Sequence, residues 1–254
     1  MLLSPHKYPE RILLYGEPGT GKSHAVITLA KFLEATHSDA YIRVLDNDRS
    51  YRRAVENNNL SHVAVEDVYD FPEYRKSLTE FLRASQPNDW LVCDLMSEAW
   101  TAAQTYYTES VYGDDANYFM QVRAAMTNPN KENVLEGWTD WQFINKQYFA
   151  FAKPFVYKSP CNIIAVSTAD PLNRTGRNVD DKETVSVYNQ VGWKPEGQKR
   201  LKHQFDTTIF MFKDNSSNYR MTSVKDRDRA LLVSRPVNNF AIDYLVTTAG
   251  WTII

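Results

Sequence analysis

The stretch Gly16-Glu17-Pro18-Gly19-Thr20-Gly21-Lys22-Ser23 constrains this chain more than any other. It fits the pattern G-x-x-x-x-G-K-[ST], in which glycines let backbone N–H groups turn inward on a polyphosphate. The flanks are those the pattern needs. Arg11-Ile12-Leu13-Leu14-Tyr15 reads as a strand, and Ser23 to Ala35 reads as a helix with Val26, Ile27, Leu29, Ala30 and Leu33 on one face. The start of that helix adds the positive end of its dipole at the same place. Gly16, Glu17, Pro18, Gly19, Thr20, Gly21, Lys22, Ser23 and His24 are therefore the candidate nucleotide-binding residues. Lys22 would reach the β/γ-phosphates of ATP, and the Ser23 hydroxyl would ligate Mg²⁺. A plain glycine turn with a surface lysine would leave both flanks unexplained.

Around this loop, apolar runs alternate with helical ones. Candidate strands are Arg11–Tyr15, Tyr41–Leu45, Val63–Val65, Trp90–Asp94, Asn162–Ser167, Thr207–Lys213 and Asn218–Val224. Candidate helices are Lys22–Ala35, Ser50–Asn57, Pro72–Ser85, Glu98–Tyr112 and Trp141–Tyr157. The rhythm predicts an α/β fold with a mainly parallel central sheet and helices on both faces. Asp214-Asn215-Ser216-Ser217 is a turn signal that makes the last two strands an antiparallel hairpin. The 254 residues, 43% hydrophobic, suffice for one domain, read as spanning 1–254. Two stretches interrupt the rhythm. Residues 113–137 read as an insertion rich in Asn and Asp, and residues 170–203 as a long polar loop.

Charge and cysteine usage narrow the functional classes. With 29 basic against 31 acidic residues, any nucleic-acid contact must come from a local patch. Cys93 and Cys161 sit beside or within apolar runs and read as buried thiols of a reducing compartment. Neither they nor the five scattered histidines have zinc-ligand spacing. The opening Met1-Leu2-Leu3-Ser4-Pro5-His6-Lys7 has no signal-type apolar core, and no stretch approaches a membrane span. A cytoplasmic protein without membrane contact is expected.

Further candidates follow from position. Trp90-Leu91-Val92-Cys93-Asp94 is an apolar strand ending in an acid, so Asp94 would hold Mg²⁺ opposite Ser23. Leu95 follows it, where ATPases of the extended AAA group usually carry a water-activating glutamate, and its absence argues against that branch. Asp48, in Val44-Leu45-Asp46-Asn47-Asp48, is then the candidate base, with Asp46 and Glu98 as rivals. Asp46 reads equally well as a turn or capping aspartate, and Glu98 as a first-turn residue offsetting a helix dipole. Ser167 and Thr168 end an apolar strand where a γ-phosphate sensor would stand. Lys225 and Arg227 follow the hairpin as candidate catalytic cations, although an alternating run, Lys225 to Arg229, also suits a solvated surface. Lys194, Lys199, Arg200 and Lys202, flanked by Trp193 and His203, suit single-stranded nucleic acid, with cations on phosphates and a ring stacked on bases, although composition alone fits a solvated, charged loop slightly better.

Together these motifs resemble a phage-type AAA/RecA-like P-loop ATPase family that includes single-strand annealing and recombination proteins. The phosphate loop, Val-Leu-Asp-Asn-Asp, Leu-Val-Cys-Asp-Leu-Met-Ser-Glu-Ala-Trp and Asn-Ile-Ile-Ala-Val-Ser-Thr-Ala carry the resemblance. Trp-Lys-Pro-Glu-Gly-Gln-Lys-Arg-Leu-Lys-His-Gln-Phe-Asp and Lys-Asp-Arg extend it over roughly residues 10–230. It implies a RecA-like fold, ATP and Mg²⁺ as cofactors, and hydrolysis of ATP. Single-stranded DNA is the implied partner, contacted through 170–203, with a single-strand-binding protein as a further one. Head-to-tail homo-oligomers are implied too, with Lys225 and Arg227 against the neighbour's ATP. Asp48 stands where relatives often carry the longer glutamate. A helicase or DNA-packaging motor on duplex DNA is the alternative. A small-molecule kinase or a nucleotide-dependent interaction module are alternatives of another class.

Overall fold

A computed structural model describes residues 2–3, 8–36, 38–113, 138–175, 179–227 and 229–253. The stretch 113–137, expected as an insertion, lies outside the described residues apart from Gly113. In chain order the elements are β1 (Leu2–Leu3), β2 (Arg11–Gly16), α1 (Lys22–Ala35), β3 (Ile42–Asp46), α2 (Arg52–Asn57), β4 (Val63–Asp67), α3 (Phe71–Ala84), β5 (Trp90–Asp94) and α4 (Met96–Tyr112). There follow α5 (Trp138–Lys153), a π-helical segment Pro154–Lys158, β6 (Asn162–Pro171), α6 (Lys182–Tyr188), β7 (Trp193–Pro195), α7 (Leu201–Gln204), β8 (Thr207–Lys213), β9 (Tyr219–Asp226), β10 (Arg235–Pro236), a second π-helical segment Ala241–Val246 and β11 (Thr252–Ile253).

The main sheet runs β10-β9-β8-β2-β6-β5-β3-β4. From β8 to β4 every neighbouring pair is parallel, whereas β9 and β10 are antiparallel. The order separates the phosphate-loop strand β2 from the Asp94 strand β5 by one intervening strand, β6. Strand alternation splits the core in two. Ile12, Leu14, Trp90, Val92, Ile164 and Val166 face α1 and the second π-helical segment. Leu13, Leu91, Cys93, Ile163 and Ala165 face α3, α4 and α5. Side chains of period two on a sheet buried on both faces give this near-continuous apolar pattern. Cys93 and Cys161 are buried free thiols.

The helix boundaries follow local chemistry. Asp70 accepts from the Glu73 N–H while Glu73 reaches back to the Asp70 N–H, so α3 begins with a capping box just ahead of Pro72. The polar stretch 170–203 is not one long loop. β6 extends to Pro171, β7 pairs with its end, and α6 and α7 flank β7. Tyr188, Trp193 and Val191 pack there against Tyr15, which gives the stretch a small core of its own. Among the described residues no helix is long and apolar enough to cross a membrane.

Candidate functional site

Parallel registers bring the site together. Gly16 lies opposite Thr168, Asp94 opposite Val166, and Asp46 opposite Asp94. The carboxyl ends of β2, β3, β5 and β6 therefore meet at one edge, where crevices of open α/β sheets form. The loop from Glu17 to Gly21 crosses that edge into α1. Gly21 caps α1 at φ 92°, and no side chain caps the helix, so its first N–H groups point at the loop. Gly16 has no room for a side chain, since a Cβ would stand 2.2 Å from the Met211 carbonyl oxygen.

Lys22 is buried, and its Nζ donates to the carbonyl oxygens of Gly16 at 2.8 Å and Glu17 at 2.9 Å. Burial lowers its pKa, against the opposing pull of Asp94, Asp48 and Glu17. Ser23 Oγ donates to Asp94 Oδ2 at 2.9 Å. Burial raises the Asp94 carboxyl to about 6, with hydroxyl bonds from Tyr51 and Ser23 pulling the other way. A hydroxyl and a carboxylate in contact beside a phosphate loop are the hard oxygen donors that Mg²⁺ takes, so the residues present fit that ion. Bound there, it would neutralise charge on the β- and γ-phosphates.

A cleft of about 330 Å³ opens at this edge, lined by the loop, His24, Asp48, Asp94, Leu95, Thr168 and Tyr219. The three candidate bases part company. Asp48 lines the cleft and is exposed. Asp46 is fully buried, and its carboxylate accepts the backbone N–H groups of Ser50 and Tyr51 at 3.3 and 3.0 Å, a turn-capping role. Glu98 stands in the first turn of α4 and does not line the cleft. Of the two sensor candidates, Thr168 lines the cleft, while Ser167 donates to the Glu196 carbonyl at 2.7 Å.

The remaining cations lie elsewhere. Lys225 and Arg227 stand at the opposite edge of the sheet, because β9 runs back from Tyr219 beside Lys213 to Asp226 beside Thr207. The seven residues of β8 separate the two edges by about 20 Å. There Lys225 Nζ donates to the Phe205 carbonyl, and Arg227 pairs with Asp206 at 2.9 Å. The run is not a uniformly solvated surface: Asp226 is buried and accepts from Tyr244 and Thr207, and Arg229 pairs with buried Glu10 at 2.6 Å. Lys194 is held by Asp180 at 2.5 Å and Asp170 at 3.4 Å, so its charge is locally balanced. Lys199 and Arg200 are exposed, and the side chain of Lys202 lies outside the described residues. Trp193 is half-buried in the Tyr15 cluster rather than presented to solvent.

Sequence reasoning missed three residues here. Tyr219 stacks on His24, with ring centroids 5.9 Å apart, and reaches the cleft only through the hairpin register. Glu196 accepts from the Thr168 hydroxyl through its carboxylate and donates its backbone N–H to the Thr168 carbonyl at 2.9 Å. Tyr51 donates to Asp94 Oδ2 at 2.8 Å. No spacing rule flags any of them.

The AAA domain family model matches residues 8–243, from just before β2 to within the second π-helical segment. The chain belongs to the AAA domain family. Membership carries a P-loop ATPase fold with a nucleotide site, in agreement with the sheet order and the loop geometry of this AAA domain. No curated protein matches the chain.

Proposed function

We propose that this AAA domain binds ATP with Mg²⁺ in the cleft and hydrolyses it by phosphoryl transfer to water. We propose further that it is phage-encoded and acts on single-stranded DNA in annealing, recombination or replication, as a head-to-tail homo-oligomer. One observation carries the ATP site: Ser23 and Asp94 in contact at 2.9 Å, beside a buried lysine and an uncapped helix start. Lys22 would leave the loop carbonyls for phosphate oxygens, the α1 N–H groups would hold the polyanion, and Asp48 would orient the attacking water. A DNA role is supported by the Glu196 linkage, which ties cleft-facing Thr168 to the segment bearing exposed Lys199 and Arg200. Lys225 and Arg227, about 20 Å from their own cleft, would serve only a neighbour's nucleotide.

ATP turnover measured with single-stranded DNA, with duplex and with none tests this. Single strands should stimulate turnover in a salt-sensitive way, and Lys199→Ala with Arg200→Ala should abolish the stimulation. Stimulation by duplex alone would favour a motor on duplex DNA. Tight nucleotide binding with negligible turnover would favour a nucleotide-dependent interaction module.

A further inference from the structure

Asp94 Oδ2 accepts two hydroxyl donors, and only one of them belongs to the phosphate loop. The second, Tyr51, comes from the turn between β3 and α2. Tyr51 is fully buried, its ring lies in the core with Val44, Trp90 and Val92, and its backbone N–H is anchored on Asp46 Oδ2 at 3.0 Å. Packing accounts for the ring but not for the phenol oxygen. A buried hydroxyl without an acceptor is costly, and phenylalanine would fill the same space. The hydroxyl is explained by the carboxylate it meets at 2.8 Å.

The two donors have different duties. A serine hydroxyl holds one proton and two lone pairs, so Ser23 can ligate a cation while its O–H still donates to Asp94. Tyr51 sits behind the carboxylate in the core and is not among the residues lining the cleft. Two donors on one oxygen fix the plane of the carboxylate and leave Oδ1 uncommitted by either bond. We propose that Tyr51 is a positioning residue for the Mg²⁺–nucleotide complex, holding Asp94 in the orientation in which it meets a cation ligated by Ser23. The inference rests on the ATP-site reading and adds to it a residue outside every motif of the sequence. Partners that orient a metal's ligands commonly contribute about 10- to 100-fold to metal affinity when removed.

The test is binding of a fluorescent ATP analogue to the full chain as free Mg²⁺ is varied, beginning in EDTA. Tyr51→Phe should bind the analogue in EDTA as the unsubstituted protein does. Its half-maximal Mg²⁺ effect should move to about 10-fold higher concentration. In an Asp94→Asn background the same substitution should cause no further shift, because Tyr51 acts through that carboxylate. An unshifted Mg²⁺ midpoint in Tyr51→Phe would overturn the inference, as would an equal shift with and without Asp94. Tyr51→Met is the second variant should the first melt below the assay temperature. It fills much of the ring's space without a hydroxyl donor, so it too should raise the midpoint, and an unchanged midpoint would again overturn the inference. Failure of the unsubstituted protein to bind the analogue at any Mg²⁺ concentration is a different result, which would remove the ATP site itself.

Discussion

Truncating Lys22 separates what that lysine does for the fold from what it does for a nucleotide. In Lys22→Ala two charge-assisted bonds, 2.8 and 2.9 Å, to the Gly16 and Glu17 carbonyls are lost. Each such bond is worth about 1.5–3 kcal/mol, but the buried ammonium they satisfy is itself disfavoured, as its lowered pKa records. The two effects oppose each other, so the melting temperature should move by only a few degrees. Nucleotide binding should respond far more. A cation about 4 Å from one phosphate charge gains about 4 kcal/mol at an effective dielectric of 20. Bonds to phosphate oxygens replace those to the loop carbonyls, and the carbonyls left without the ammonium offset about 1–2 kcal/mol of that gain. The net of about 2–3 kcal/mol corresponds to a loss of about 30- to 150-fold in ATP affinity. Calorimetric titration of ATP, paired with thermal melts of both proteins, measures both quantities. Unchanged affinity would refute the placement of Lys22 at the phosphates, and a collapsed melting temperature with unchanged affinity would make it a structural lysine.

Three more outcomes follow from the same geometry. Asp94→Asn should stabilise the nucleotide-free protein by about 2 kcal/mol near neutral pH. The folded state holds the Asp94 proton up to about pH 6 and the unfolded chain only to the ordinary carboxylate range. Stability of the unsubstituted protein therefore falls as pH rises through that window, and the advantage of Asn, read by denaturant melts, should vanish near pH 4. Gly16→Ala should destabilise by about 3 kcal/mol, because its Cβ would meet backbone at Met211 O and not a side chain that can move; melts within 1 kcal/mol of the parent would contradict this. Glu10→Ala, at the other edge of the sheet, takes from Arg229 its closest carboxylate, leaving it Asp226 at 3.5 Å and the Tyr244 hydroxyl, and takes an acceptor from Trp251 Nε1. It should cost about 3 kcal/mol in urea melts while leaving ATP affinity unchanged, and a loss of affinity would show that the two edges are coupled.

What the sequence disclosed was local. The phosphate loop, α1 from Lys22 to Ala35, β5 from Trp90 to Asp94 and β8 from Thr207 to Lys213 are legible because each is set by neighbours in the chain: glycine freedom, apolar periodicity, a turn signal. Asp94 was legible for the same reason, as the acid ending an apolar strand. Residues that join the site, or hold its side chains, through tertiary pairing were not. Tyr219 arrives by the register of a hairpin, Tyr51 by a turn folded onto Asp46, and Glu196 by the short strand β7 laid on the end of β6. That same strand explains why 170–203 reads as a loop. Of the buried residues in 170–203, Thr184 and Tyr188 stand one turn apart on a seven-residue helix, too short a run to show a period, and Leu201 stands apart from them. The choice among Asp46, Asp48 and Glu98 was likewise tertiary, since only burial and backbone partners distinguish a capping aspartate from one facing the cleft.

The most direct measurement is a calorimetric titration of ATP into the unsubstituted protein, once with Mg²⁺ and once with EDTA. One ATP should bind per chain, and chelating the metal should weaken that binding at least tenfold. No heat of binding, or an affinity indifferent to Mg²⁺, would contradict a triphosphate held between Lys22 and the Ser23–Asp94 pair.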